Sequence, residues 1–150
     1  VRIVETFPGM SFPILAVHGS PRRPINEYVF PDDSTSAPEK LESIFERVDR
    51  VCICGHTHVP GVFTDEPDFY PPDELGESHV YRFNEGEKAI INVGSVGQPR
   101  DQDPRAAYAI IHPDRVEFVR VEYNVEVTAQ RIKNTPQLHD WLGERLYNGR

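Results

Sequence analysis

Val51-Cys52-Ile53-Cys54-Gly55-His56-Thr57-His58 is an apolar run that halts at a glycine and then presents two imidazoles. The run reads as a strand over 50–54 that carries the histidines into a turn. In extended chain, residues i and i+2 share a face about 6.5 Å apart, so both rings can reach one metal ion or two adjacent ones. Gly55 is expected to let the backbone bend where the strand ends. Upstream, Leu15-Ala16-Val17-His18-Gly19-Ser20-Pro21 repeats the pattern, a second apolar run ending at His-Gly. Two short strands ending in histidine-bearing turns are what a metal site at one edge of a sheet requires.

The chain between these runs supports that placement. A strand over 13–18 is followed by a loop holding Pro21, Pro24 and Pro31, and then by a helix near 38–48. Pro38 suits a first helical turn, and Leu41, Ile44, Phe45 and Val48 follow the i, i+3, i+4, i+7 spacing of one buried face. Strand, helix, strand is a βαβ unit, which implies parallel neighbours in a buried sheet and an α/β fold class. Residues 64–78 are acidic and proline-rich, and read as a solvated connector, with a lid over the site as the alternative. Strands follow near 79–84, 88–93, 106–112 and 115–123, with Asn84-Glu85-Gly86-Glu87 and His112-Pro113-Asp114-Arg115 as turns. The end reads as a short helix near 126–133 and a second from Thr135-Pro136 through Tyr147, buried along Leu138, Trp141, Leu142 and Leu146.

Bulk properties narrow the function classes. The chain has 150 residues, one domain's worth, and 38% apolar residues, and no stretch approaches the ~20 apolar residues of a membrane span. A net charge of −8 disfavours general nucleic-acid binding, which relies on clustered Lys and Arg. The start, Val1-Arg2-Ile3-Val4-Glu5, has neither the basic head nor the apolar middle of a secretion signal. Only Cys52 and Cys54 are present, pointing the same way from one strand face, so a cytoplasmic protein is expected.

Cys52, Cys54, His56 and His58 together suggest a zinc site, but six residues of strand span about 20 Å, whereas zinc ligands sit within about 2.3 Å of the ion. The thiols therefore read as core residues. His79, His112 and His139 have no ligand partner at useful spacing. A third element is the strand Ile90-Ile91-Asn92 running into Val93-Gly94-Ser95-Val96-Gly97-Gln98-Pro99-Arg100. Such glycine-bearing loops let backbone N–H groups approach an anion, with Arg100 adding a charge-assisted contact. Arg22 and Arg23, directly after the His18 turn, read either as phosphate ligands or as solvated loop arginines.

These motifs together resemble the calcineurin-like metallophosphoesterase superfamily, in its small bacterial protein phosphatase-like or diadenosine-tetraphosphatase-like branch. His18-Gly19-Ser20-Pro21, followed by Asn26-Glu27-Tyr28, is similar to the isolated metal-binding histidine of that branch. Gly55-His56-Thr57-His58 resembles the Gly-His-x-His motif, and Asn92 to Arg100 resembles the loop after it, where the branch often has Pro at the position of Val93. The resemblance implies part of a four-layer α/β/β/α sandwich of mixed sheets with flanking helices. It implies two divalent ions (Mn, Fe, Zn or Ni), with His18 and His56 on the second and His58 on the first. It also implies a bridging water that attacks phosphorus in line. Arg22, Asn92, Gly94, Ser95 and Arg100 are the expected substrate-binding residues.

The superfamily's opening motifs, Asp-x-His, Gly-Asp-x-x-Asp and Gly-Asn-His-Asp/Glu, do not occur in the chain. With them would go the metal-binding carboxylates and the His thought to protonate the leaving group. Residues 1–150 therefore read as the C-terminal part of such a domain, supplying the histidine-rich half of the site and no catalytic residue. The expected partners are a phosphate-ester substrate and the N-terminal half of the same domain, and an uncovered face invites a homodimer. A non-catalytic metal-binding or association module with the same fold is the alternative.

Overall fold

The computed structural model describes residues 2–150. A six-stranded sheet has the order β1-β2-β3-β7-β4-β5, and a three-stranded sheet the order β6-β9-β8. In the first sheet, β2 (Ile14–Val17), β3 (Val51–Cys54) and β7 (Ala89–Asn92) run parallel. Antiparallel β1 (Arg2–Glu5) flanks them on one side, and β4 (Gly61–Thr64) with β5 (Asp68–Tyr70) on the other. The second sheet is antiparallel throughout: β6 (Val80–Arg82), β8 (Ala106–Ile111) and β9 (Arg115–Val121). The sheets are mixed α/β as expected.

Two apolar clusters hold the layers together. After the four-residue helix α1 (Asp33–Ser36), α2 (Pro38–Phe45) lays Leu41, Ile44 and Phe45 on one face of the large sheet, against Leu15, Cys52, Cys54, Phe63 and Ile90. Leu41 and Ile44 are fully buried, and each such side chain contributes about 1.5–3 kcal/mol of transfer free energy. The helix ends three residues earlier than its apolar spacing suggests, and Val48 reaches the same core from the turn that follows. On the opposite face, Ile14, Val51, Val62, Ala89 and Ile91 meet Val116 and Phe118 of the small sheet. Helix, sheet and sheet thus form three stacked layers, and the outer face of the small sheet shows Tyr108, Ile110 and Val121 to solvent.

Some elements differ from the sequence reading. Part of the supposed connector 64–78 is a hairpin, because all of β4 is buried and pairs with β7. Its tip lies away from the histidines, since Thr64 is level with Ala89, the first residue of β7, whereas Gly61 is level with Asn92, the last. The C-terminal region folds as α3 (Val125–Lys133), α4 (Trp141–Glu144) and a 3-10 turn (Arg145–Asn148), so the long second helix does not form. Its expected stripe fails because Gly143 fills the contact: a Cβ there would lie 2.8 Å from the Ala129 carbonyl oxygen. Leu146 is buried, while Leu138 and Trp141 are exposed.

Candidate metal centre

Parallel register decides where the chemistry gathers. Ala16 is level with Ile53, Ile53 with Ile91, and Cys54 with Asn92. The loops after β2, β3 and β7 therefore leave the sheet side by side at its carboxyl edge, the usual ligand position of open α/β sheets. Main-chain hydrogen bonds join them: Gly55 N–H to the His18 carbonyl, Val93 N–H to Cys54 and Arg100 N–H to His58, each 3.1 Å.

His18 and His56 meet there, their ring centroids 4.4 Å apart and their planes inclined at 59°. Tyr28 also stacks on His56, 3.8 Å away and 14° from parallel. Burial and the adjacent His18 lower the His56 pKa, while a hydrogen bond to the Asn26 main chain opposes them. His58 is oriented separately. Its Nδ1 lies 2.8 Å from the Gln98 carbonyl, so the neutral ring carries its proton there and leaves the Nε2 lone pair free. Burial lowers the His58 pKa, the bond to Gln98 raises it, and the charge of Arg100 lowers it further. Both shifts favour the neutral imidazole, the form that ligates a metal.

The backbone reaches these positions by an unexpected route. Gly55 has no positive φ, and the left-handed conformations belong to His56 (φ 68°) and His58 (φ 63°). The rings thus share a turn rather than a strand face, and non-glycine residues in this region cluster where surrounding structure fixes them for function. Asn92 is the fixing group. Fully buried, it donates from Nδ2 to the Gly55 carbonyl (2.9 Å) and Thr57 Oγ1 (2.7 Å), and accepts from Gly94 N–H (3.0 Å).

The five expected substrate-binding residues separate on inspection of their partners. Asn92 braces the histidine turn, and Ser95 Oγ accepts from the N–H groups of Gly97 and Gln98. Gly94 takes φ +76° beside Ala107 and Pro60. Arg22 lies on Glu27, with Nη2 2.5 Å from Oε1, and Ser20 Oγ donates to the same carboxylate. Its charge is neutralised in holding the His18 turn closed. Arg100 differs, because its Nε–H is buried with no acceptor among the described residues.

The remaining polar groups play no part. Cys52 and Cys54 are free and buried. Burial pushes the Cys54 thiol up to about 12 and Cys52 also upward, as core residues require. His79 Nδ1 is 2.9 Å from the Pro72 carbonyl, His112 lies beside Glu117, and His139 is exposed. Sequence reasoning gave no role to Tyr28, Thr57 or Glu27, although Tyr28 and Glu27 stand in the motif following His18.

The chain matches the calcineurin-like phosphoesterase superfamily domain over residues 4–115. It belongs to that superfamily. A metallophosphoesterase from Sphaerobacter thermophilus superposes with a TM-score of 0.81 at 34% identity, covering 99% of this chain and 57% of that one. A hypothetical protein from Pyrococcus horikoshii shares the fold, with a TM-score of 0.68 at 20% identity over 99% of this chain and 50% of its own. An uncharacterised protein of Methanocaldococcus jannaschii is 36% identical over 140 residues, 91% of this chain and 52% of that protein. The chain spans about half the length of the relatives it matches.

Divalent metals are general in metallophosphoesterases, and the imidazole chemistry here suits them. The fit is partial. Among the described residues no group of three or more His, Cys, Asp or Glu side chains gathers as a metal site. His18 and His56 converge as a pair, with no carboxylate among them. Among the described residues no helix is long and apolar enough to cross a membrane.

Proposed function

We propose that this chain supplies the histidine-bearing half of a metal-dependent phosphoesterase that hydrolyses phosphate esters at a dinuclear site. The observation that carries this reading is the convergence of the His18 and His56 rings where two adjacent parallel strands end. His18 and His56 would hold one ion, and His58, through Nε2, another. When bound, divalent ions supply Lewis-acid polarisation of a phosphoryl oxygen.

The chain's own residues have narrower tasks. Tyr28 and the Asn26 main chain set the plane of His56, Gln98 fixes the His58 proton on Nδ1, and Arg100 offers a donor beside His58. The carboxylate ligands and the general acid come, in this proposal, from an N-terminal half of the same domain. The shared length with relatives supports this, as does the exposure of Ile3, Val4 and Phe7 on and just after β1, the edge strand of the large sheet. We place the protein in the cytoplasm, consistent with two free buried thiols.

The test compares the 150-residue chain with the longer reading frame, using p-nitrophenyl phosphate with manganese. The longer protein is expected to turn over substrate, and the chain alone to show negligible rate. Robust metal-dependent turnover by the chain alone would refute the division of the site. No turnover by the longer protein, with metal bound, would favour a non-catalytic module.

A further inference from the structure

We propose that the outer edge of β8 is the docking site for the N-terminal half of the domain, which adds a strand there, antiparallel to β8, and so brings carboxylates to the histidines. The inference deepens the phosphoesterase reading and rests on it for the identity of the partner.

The two sheets differ in width. Six strands stack on three, so part of the large sheet's inner face has no strand above it. One side of the sandwich is closed, where Tyr81 of β6 packs on Tyr70 of β5 with ring centroids 5.4 Å apart. The other side is open. There the turn after β1, together with β2 and β3, faces the end of β8 across an apolar groove of about 420 Å³ lined by Phe7, Met10, Ile14, Ile53 and Ile111. Ile53 also borders a second groove, of about 240 Å³, lined by Ala16, His18 and Gly55. The uncovered face thus extends from β8 to the metal edge.

The edge of β8 is itself unguarded. Natural sheets protect exposed edges with charge, proline or a covering segment. Of the four edge strands, β1 carries Arg2 and Glu5, β5 carries Asp68 and β6 carries Arg82. In contrast, β8 reads Ala106-Ala107-Tyr108-Ala109-Ile110-Ile111 and has no charge. Its start is covered, since the Ala107 N–H donates to the Ser95 carbonyl at 2.9 Å. Backbone groups alternate along a strand, so the N–H groups of Ala109 and Ile111 point to that same side. Among the described residues β8 has no neighbouring strand there.

Such an edge takes an added strand through main-chain hydrogen bonds, with apolar side chains filling the groove beneath. Length and direction name the occupant. The relatives carry about as much chain again as this one matches. β8 begins beside Ser95, which follows the carboxyl end of β7, and ends at Ile111, beside Met10 and Ile14. A strand antiparallel to it therefore has its carboxyl end at the metal edge, where α/β sheets place their ligand-binding residues. Carboxylates at that end would stand beside His18 and His56 and complete a ligand group that the described residues do not form.

The test is amide hydrogen exchange by NMR on the 150-residue chain and on the longer reading frame, without metal or substrate. Ala109 and Ile111 are expected to exchange about a hundredfold more slowly in the longer protein, while Tyr108 and Ile110, turned to β9, should change far less. Hα–Hα contacts from Tyr108 to a residue outside 1–150 identify the antiparallel strand. Equal exchange of Ala109 and Ile111 in the two proteins overturns the proposal, as does a parallel strand at this edge. Protection in the 150-residue chain that grows with its concentration would assign the edge to a second copy, and overturns it too. Ala109→Pro removes an edge N–H, so it should lower the urea midpoint of the longer protein and hardly move that of the chain; equal shifts in both count against the proposal. Protected amides in a longer protein that lacks turnover would sink the phosphoesterase reading alone.

Discussion

Tyr28 covers one face of the His56 imidazole at 3.8 Å, and Phe30 stacks behind Tyr28 at 5.2 Å and 8° from parallel. Tyr28 and Phe30 remain 40% and 45% exposed, so neither is a core residue. They hold a ring plane, and a metal ligand needs its lone pair aimed.

Tyr28→Ala should therefore weaken binding of nickel or zinc by about tenfold, the usual scale for losing a group that orients a ligand. Thermal stability should change little, and Tyr28→Phe should retain affinity. Isothermal titration of the three proteins measures this. Equal affinity in the alanine variant would show that the stack does not position His56.

Asn92 joins the turn holding both histidines to the loop after β7, and every polar atom of its side chain is used. Asn92→Leu leaves the Gly55 carbonyl, Thr57 hydroxyl and Gly94 N–H without their buried partner. The expected loss is about 2–4 kcal/mol, because buried groups left unpaired cost more than the hydrogen bond itself contributed. Urea unfolding of the variant checks it. Thr57→Val, which removes one of the three partners, should cost less.

Gly94 has φ +76°, and a Cβ there would lie 2.8 Å from Ala107 Cβ. Gly94→Ala combines backbone strain with a clash, for an expected loss of about 1–3 kcal/mol. The two parts separate in a double variant. Ala107→Gly removes the steric partner but leaves the dihedral penalty, so it should restore only part of the loss in denaturant titration.

Several features of fold and site were readable from residue order, and the limits are physical. The strands at 14–17, 51–54 and 89–92 are short apolar runs that end abruptly, and the spacing of Leu41, Ile44 and Phe45 identifies α2. A βαβ unit makes β2 and β3 parallel neighbours, so the approach of His18 to His56 follows from topology. The left-handed backbone of His56 and His58 does not, since nothing in their composition favours it over an extended strand. β1 escapes pattern reading because all its residues are exposed, and pairing alone defines it. The roles of Asn92 and Ser95 were also hidden, because a polar residue in a glycine-bearing loop reads alike whether it faces a ligand or its own backbone.

Glu27 gives the His18 turn a pH dependence. Burial by itself would raise its pKa, but hydrogen bonds from Arg22 and Ser20 outweigh burial and hold the carboxyl below its usual value. A carboxyl whose pKa is depressed on folding stabilises the protein above its unfolded value, about 4.3, and that contribution disappears as pH falls through the lower folded value. Glu27→Gln keeps the shape but loses the charge. At pH 7 it should be less stable than wild type by about 1–2 kcal/mol, the scale of hydrogen bonds to a charged group. As pH falls below about 4.3 the wild-type advantage should shrink, since protonation makes its carboxyl resemble the amide. Parallel urea titrations at pH 7, 5, 4 and 3 measure the difference. A constant gap across that range would show that Glu27 is not held ionised by Arg22 and Ser20 in the folded protein.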